Sequence, residues 1–153
     1  MFKFRNLLVV LLLAAAGFGV AACGSDSGPE DGTGSSSPAP GIEGITWELM
    51  NIGSDQGWAT SLPAGVKPPT LRIENGQAEI FYGCNSGGGP VEVGPKTLSF
   101  GPLRITEMSC ERVRNQIEFL VTKVLKGEVQ YSLNSDGNLV LERAGDSLVY
   151  TRG

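Results

Sequence analysis

The chain has 153 residues, of which 16 are acidic, 12 are basic and none is histidine, and its formal net charge is −4. The absence of histidine excludes Ser-His-Asp and Cys-His catalysis and histidine-ligated metal centres. The acidic balance argues against a nucleic-acid partner and against a lipid surface held by charge alone. Phosphate-loop and dinucleotide motifs are also missing, so we expect no cofactor, no metal site and no catalytic residue.

Residues 1–22 predict a lipoprotein signal peptide. Two basic residues precede an apolar run of 16 residues, Leu7–Ala22, which is shorter than the roughly 20 residues of a membrane-spanning helix. The run is followed at once by Cys23, and the sequence VAAC resembles the lipobox of bacterial lipoproteins, in which the cysteine is lipidated and the chain is cut before it. We therefore predict lipidation at Cys23, with an ordinary signal peptide cleaved after Ala22 as the alternative.

Residues 23–40 predict a lipidated N-terminus followed by a flexible linker. Residues 24–40 consist only of Gly, Ser, Pro, Ala, Thr, Asp and Glu, so they contain no side chain that builds a core. Removal of the leader takes away two basic residues and leaves a formal charge of −6. Membrane contact should therefore come from acyl chains on Cys23, and residues 41–153 remain as one folded domain.

Residues 41–153 contain mainly strand patterns. Apolar and polar residues alternate with period two, and Asn75-Gly76 is a strong two-residue hairpin signal between two such runs. The sequence Asn134–Gly137 predicts a second turn near the end of the chain. The predicted strands are residues 45–50, 70–74, 78–82, 97–100, 129–133, 138–142 and 148–150.

One segment, residues 109–126, has helical periodicity. Its apolar residues recur at steps of three and four, which places them on one helix face. Ser109 suits the N-cap, and Gly127 suits the position after the helix. The predicted fold class is α+β: a small curved antiparallel β-sheet wrapped on one α-helix. The predicted core consists of Trp47, Ile73, Phe81, Leu98, Ile117, Leu120, Val124, Tyr131 and Leu141.

The segment YGCNSGGGP, residues 82–90, raises the question of what Cys84 does. A nucleophile, a metal ligand, a phosphate cradle and half of a disulfide are the four alternatives. In an exported chain whose Cys23 carries lipid, Cys84 and Cys110 are the two remaining thiols, and such thiols tend to oxidise. We predict that they are bonded to each other, with two buried free thiols as the alternative, and that Gly87–Gly89 form loop slack after the bridge.

Several short motifs occur in an order that resembles the META domain family, the HslJ-like heat-inducible bacterial envelope proteins. The most specific are Gly83-Cys84-Asn85 and Thr106–Cys110; the others are Trp47–Leu49, Pro69–Leu71, Glu118–Leu120, Tyr131 and Leu139–Leu141. The resemblance covers most of residues 43–151. It implies a small antiparallel sheet wrapped on a helix, a loose link to stress response, and no catalytic residues.

These observations predict a membrane-anchored bacterial envelope lipoprotein with a META-like domain, non-enzymatic, with a role in stress response or envelope maintenance. The domain should lie outside the cytoplasm, and its partner would be an envelope protein or ligand that the sequence does not identify. The alternative is a protein- or ligand-binding, inhibitor-like lipoprotein that presents the glycine-rich loop. Trp58, after residues 54–57, is a candidate exposed aromatic residue in a loop.

Overall fold

The computed structural model describes residues 41–57 and 59–153; the predicted leader, Cys23, the linker and Trp58 lie outside the described residues. The strands are β1 (Thr46–Ser54), β2 (Ala59–Ser61), β3 (Thr70–Glu74), β4 (Gln77–Phe81), β5 (Ser86–Val93), β6 (Thr97–Phe100), β7 (Arg104–Ile105), β8 (Gly127–Leu133), β9 (Leu139–Arg143) and β10 (Asp146–Arg152). The helix α1 (Arg112–Val124) lies between β7 and β8.

Eight of the strands form a closed antiparallel barrel. Hydrogen-bonded neighbours follow the order β1, β3, β4, β5, β6, β8, β9 and β10, and β10 pairs back to β1. The closing ladder runs from the pair Trp47 and Arg152 to the pair Ser54 and Asp146, with one irregularity between Leu49 and Asn51. The short strand β2 pairs with β1, and β7 pairs with β5 beyond the end of β6.

The predicted α+β class, with a curved sheet wrapped on one helix, is wrong. The domain is mostly β, and its sheet closes on itself because the first and last strands of the barrel pair. The helix consequently does not form the centre around which a sheet curves. The apolar side chains of the strands fill the interior instead, as they do in other small barrels.

The glycine-rich segment forms β5 and belongs to the barrel wall, so the prediction that Gly87–Gly89 are loop slack is also wrong. Gly87 and Gly88 pair with β4 on one side and with β7 on the other. A Cβ atom on Gly87 would overlap the carbonyl oxygen of Arg104, and one on Gly89 would lie 2.5 Å from the carbonyl oxygen of Pro102. Glycine is required here because neighbouring backbone approaches too closely for any side chain.

The core contains most of the residues that the sequence predicts for it. Strands alternate inward and outward side chains, so that in β3, for example, Leu71 and Ile73 are fully buried while the residues between and beside them are more exposed. Phe81 and Leu120 are only partly buried. Phe81 faces outward, where the ammonium group of Lys67 lies 4.8 Å from its ring centroid.

Helix α1 packs across the barrel end at which β4 ends and β5 begins. It buries Ile117, Val121 and Val124 against the strands. The N-cap is Glu111 and not the predicted Ser109, and the side chain of Glu111 makes no capping hydrogen bond. The hairpin at Asn75-Gly76 lies at the opposite end of β3 and β4. Within the described residues, no helix is long and apolar enough to cross a membrane.

Candidate functional site

The two most specific motifs of the sequence meet at the helix end of the barrel. Gly83-Cys84-Asn85 leads from β4 into β5, and Thr106–Cys110 leads from β7 towards α1. Gly83 has φ +112°, and a Cβ there would lie 3.1 Å from Cγ2 of Ile117 in the helix. Glycine at this position therefore allows both the unusual backbone conformation and the close approach of α1.

Cys84 and Cys110 are joined by a disulfide in the structure. Their Cα atoms lie 6.0 Å apart, and the bond closes a sequence separation of 26 residues. Cys84 is buried, while Cys110 is partly exposed beside Glu111 and Arg114. Because the bonded sulfur of Cys84 has no ionisable thiol, it is neither a nucleophile nor a thiolate ligand in this state.

Asn85 is the buried polar residue at the centre of this junction. Its side-chain oxygen accepts hydrogen bonds from the backbone N–H of Met108 at 2.8 Å and from the hydroxyl of Thr106 at 2.9 Å. Its side-chain nitrogen donates to the carbonyl of Met108 and to the carboxylate of Glu118, both at 3.1 Å. All four hydrogen-bonding positions of the amide are therefore used.

Glu118 connects the junction to the helix. Besides the side-chain amide, the backbone N–H of Asn85 donates to its Oε2 at 2.8 Å. A carboxylate that accepts such charge-assisted bonds ties the helix to the start of β5 more strongly than neutral partners would. We call these residues the Asn85 junction: Cys84, Asn85, Thr106, Met108, Cys110 and Glu118.

Two buried tyrosines lie inside the barrel behind this junction. Burial, and next the carboxylate of Glu118, raise the pKa of Tyr82 to about 12. Burial, and next the nearby Tyr82, also raise the pKa of Tyr150. Neither hydroxyl has a hydrogen-bond partner among the described residues. At neutral pH both phenols stay protonated, so neither acts as a base.

A second feature of the helix end is an apolar groove between α1 and β2, which we call the α1–β2 groove. It encloses about 160 Å³. Side chains of β1, β2, the residues that follow β2 and the helix line it, and among them are Ile52, Leu62, Val113 and Leu120. Within the described residues, no cluster of three or more His, Cys, Asp and Glu side chains could hold a metal ion.

The structure brings Cys84 and Cys110 together, whereas Cys23 lies outside the described residues. Sequence reasoning does not identify Asn85, Thr106 or Glu118 as a connected group. The available signal is that Asn85, Thr106 and Glu118 each lie in a motif that carries the family resemblance, although the motifs do not show that these side chains contact one another.

The family model described as META domain matches residues 41–153. The chain is similar to an NMR structure of a protein from Burkholderia xenovorans, with TM-score 0.61 and 26% identity, over 73% of this chain and 83% of that one. A second NMR structure has TM-score 0.58 and 19% identity, over 72% and 90% of the two chains, and so supports the fold alone. No curated protein matches the chain.

Proposed function

We propose, because the chain belongs to the META domain family, that it is a membrane-anchored bacterial envelope lipoprotein that acts without enzymatic turnover. Its role would be envelope maintenance or the response to stress. Membership of the family supports an envelope-associated protein, whereas the anchor and the absence of turnover are proposed from residues of this chain. Each rests on a different part of the chain and has its own test.

The non-enzymatic role rests on one observation: the reactive groups of the Asn85 junction are already engaged with one another. The sulfur of Cys84 is bonded, and Glu118 accepts hydrogen bonds from Asn85. Behind the junction, burial and next the carboxylate of Glu118 raise the pKa of Tyr82 to about 12, which keeps its hydroxyl protonated at neutral pH. General acid–base catalysis needs a group whose pKa lies near the working pH and which can reach a substrate. The junction instead supports a structural role for these side chains.

A turnover assay tests this half of the proposal. The intact purified chain should hydrolyse no member of a panel of ester, peptide and glycoside substrates above the background of a matched Glu118→Gln preparation. Turnover by the wild type that Glu118→Gln abolishes would contradict the proposal. The conservative variant is chosen because it retains an acceptor oxygen for Asn85 while it removes the carboxylate.

The anchor rests on the sequence VAAC, which places Cys23 directly after the apolar run, and on the core-free composition of residues 24–40. A coil of this length spans roughly 20–25 Å, which would hold the domain near a membrane surface. Localisation outside the cytoplasm follows from the same leader. Stable attachment would come from the acyl chains, since one chain alone gives only reversible binding.

Fractionation of cells that express Cys23→Ala tests the anchor. The variant should appear as a soluble form or as an uncleaved precursor, whereas wild type and the matched linker control Ser25→Ala should stay with the membranes as processed protein. A processed variant that remains with the membranes would refute lipidation at Cys23. Survival of envelope stress by a deletion strain, complemented by wild type and by Cys23→Ala, tests whether the anchor matters to the role.

The alternative of a binding lipoprotein that presents the glycine-rich loop loses its surface, because residues 86–93 form a strand of the barrel wall. Gly87 and Gly88 pair with strands on both sides and offer no side chain to a partner. We therefore do not propose binding through this segment.

A further inference from the structure

The α1–β2 groove combines two features that point to the same kind of occupant. One wall is β2, whose three residues are all exposed. The other wall is one face of α1, on which Val113, Ile117 and Leu120 recur at helical spacing. Val113 remains 43% exposed, although it belongs to the apolar stripe of the helix. An apolar side chain that faces an apolar groove without covering it leaves area for a ligand to bury.

The outer edge of β2 has backbone groups that a further strand could use. Within residues 41–57 and 59–153, β2 pairs with β1 alone and ends the strand order on that side. A strand at a sheet edge presents N–H and C=O groups that an extended peptide can join by adding one more strand. Small rigid ligands do not satisfy such a row of alternating donors and acceptors, so the edge favours an extended polypeptide.

The dimensions of the groove fit a short peptide segment. The three residues of β2 cover about 10 Å at about 3.3 Å per residue. The helix face from Val113 to Leu120 covers a similar length at about 1.5 Å per residue. The enclosed volume of about 160 Å³ accommodates about one benzene-sized group. The groove therefore has room for about three extended residues with one large apolar side chain between the walls.

The lining also limits the chemistry of the occupant. Among the residues that the structure describes, none that lines the groove is ionisable. A charged ligand group buried there would lose its hydration without gaining a counter-charge. The predicted linker, residues 24–40, contains no apolar side chain larger than those of alanine and proline, so this chain's own linker has no side chain that fills the groove.

We propose that the α1–β2 groove binds an extended segment of a partner protein, which adds as a strand to β2 and inserts one neutral, large apolar side chain against Val113 and Leu120. Ile52 forms the floor, because it is paired with Thr60 across the ladder and both residues contact the groove. This interaction goes beyond the proposed envelope role and is independent of Cys23. A chain that is not lipidated would bind the same peptide.

Fluorescence anisotropy with designed peptides tests the proposal on the intact chain in lipid nanodiscs, with empty nanodiscs as background. The probe is a fluorescein-labelled heptapeptide of alternating threonine and leucine. Its first control replaces every leucine with glutamine, and its second carries N-methyl groups on all backbone nitrogens, so that neither edge of the peptide can donate to β2. The leucine peptide should bind, and each control should bind at least about tenfold more weakly, since one removes the apolar side chain and the other the strand hydrogen bonds.

Two charge substitutions on the same helix locate the binding site. Val113→Asp places a carboxylate in the groove and should weaken the leucine peptide at least about tenfold. Phe119→Asp is the matched control: Phe119 is 65% exposed and does not line the groove, so peptide affinity should be unchanged. Far-ultraviolet circular dichroism checks that both variants are folded.

Four results would overturn the proposal. The first is a Kd of about 1 mM or higher for the leucine peptide. The second is a glutamine or N-methyl control that binds as well as the leucine peptide. The third is an equal loss of affinity in Val113→Asp and Phe119→Asp. The fourth is a wild-type dimer, seen by sedimentation without peptide, that Val113→Asp dissociates, since the groove would then hold a second copy.

Discussion

The Asn85 junction, with the buried amide of Asn85 at its centre, lies next to the tyrosine pair, Tyr82 and Tyr150. The two groups differ in how their buried polar atoms are paired. Every hydrogen-bonding position of the Asn85 amide has a partner, and one partner is a carboxylate. The hydroxyls of Tyr82 and Tyr150 have no partner among the described residues. Both groups lie near the helix end of the barrel, so burial alone does not separate them.

The difference separates two uses of a polar residue inside a small barrel. A paired group holds elements together, and its loss leaves several partners without a hydrogen bond. An unpaired hydroxyl mainly supplies aromatic volume, and its oxygen adds a desolvation cost. Substitutions at the two places should therefore differ strongly in their effect on the free energy of unfolding.

The largest effect is expected for Asn85→Ala. The substitution leaves the N–H and carbonyl of Met108 without their side-chain partner. The carboxylate of Glu118 loses the amide N–H bonds and keeps only the bond from the backbone N–H of residue 85. We expect the free energy of unfolding to fall by about 4–5 kcal/mol, measured by urea denaturation. The matched control is Asn115→Ala on the exposed face of α1, whose side chain donates to the carbonyl of Cys110; it should lose no more than about 1 kcal/mol. Similar losses for the two variants would contradict the special role of the junction.

The next effect is expected from breaking the Cys84–Cys110 bond, which tests the covalent part of the junction. Closing a loop of 26 residues should contribute about 3–4 kcal/mol in the chain-entropy model. The melting temperature of the chain should therefore fall when reductant is added, while a Cys84→Ala, Cys110→Ala double variant should melt at the same temperature with and without reductant.

Intact-mass measurement checks the same bond directly. In a Cys23→Ala chain, only Cys84 and Cys110 remain. Alkylation under denaturing conditions should add no group before reduction and two groups after it. Two groups added without reduction would show that both thiols are free and would contradict the disulfide.

The smallest effect at neutral pH is expected for Tyr150→Phe. Because the substitution removes a hydroxyl without a partner and keeps the ring, stability should change by less than about 1 kcal/mol and in the favourable direction. Tyr150→Leu is the control that removes the ring and should destabilise by more than 1 kcal/mol. A large loss on Tyr150→Phe would show that this hydroxyl has a hydrogen bond in solution.

Alkaline pH should reveal the tyrosine pair. In the unfolded chain the tyrosine hydroxyl ionises near its ordinary pKa of about 10, while folded Tyr82 ionises at about 12. The unfolded state therefore binds fewer protons in this range, and stability is fully present below pH 10 and is lost as the pH rises towards 12. Each such tyrosine lowers the free energy of unfolding by up to about 1.4 kcal/mol per pH unit in this range. Tyr82→Phe should remove the contribution of Tyr82. If the free energy of unfolding of Tyr82→Phe falls with pH as steeply as that of the wild type, the raised pKa of Tyr82 is contradicted.

The sequence predicts the locally determined parts of this fold well. Strands β3 and β6 and the Asn75-Gly76 hairpin follow from alternation and turn chemistry, and α1 follows from its apolar face with bounds that differ by up to three residues. Local patterns could not predict barrel closure, since this depends on how the edges of β1 and β10 meet. Strand β5 was missed because Gly87–Gly89 have low strand propensity, and tertiary contacts with β4 and β7 override that preference.

Of the candidate site, the sequence predicts the pairing of Cys84 with Cys110 and not the hydrogen bonds of Asn85. The pairing of Cys84 with Cys110 follows from the prediction that the chain is exported with lipid on Cys23. Asn85 and Glu118 are 33 residues apart, and local patterns do not predict that their side chains meet. The α1–β2 groove also escaped prediction, because Val113 fits the apolar stripe of α1 and its exposure depends on the position of β2.

The pairing of β1 with β10 has a consequence for the order of folding. The hairpins and the 26-residue disulfide loop join residues close in sequence, whereas barrel closure joins the first and last strands. Contacts of such long sequence separation form slowly, because the chain entropy is lost before the contacts can compensate for it. Until Asp146–Arg152 has paired with both neighbours, β1 and β9 present open edges to other chains. The species most open to association with other chains is therefore a partly folded state, in which the other barrel strands have paired and the barrel is still open.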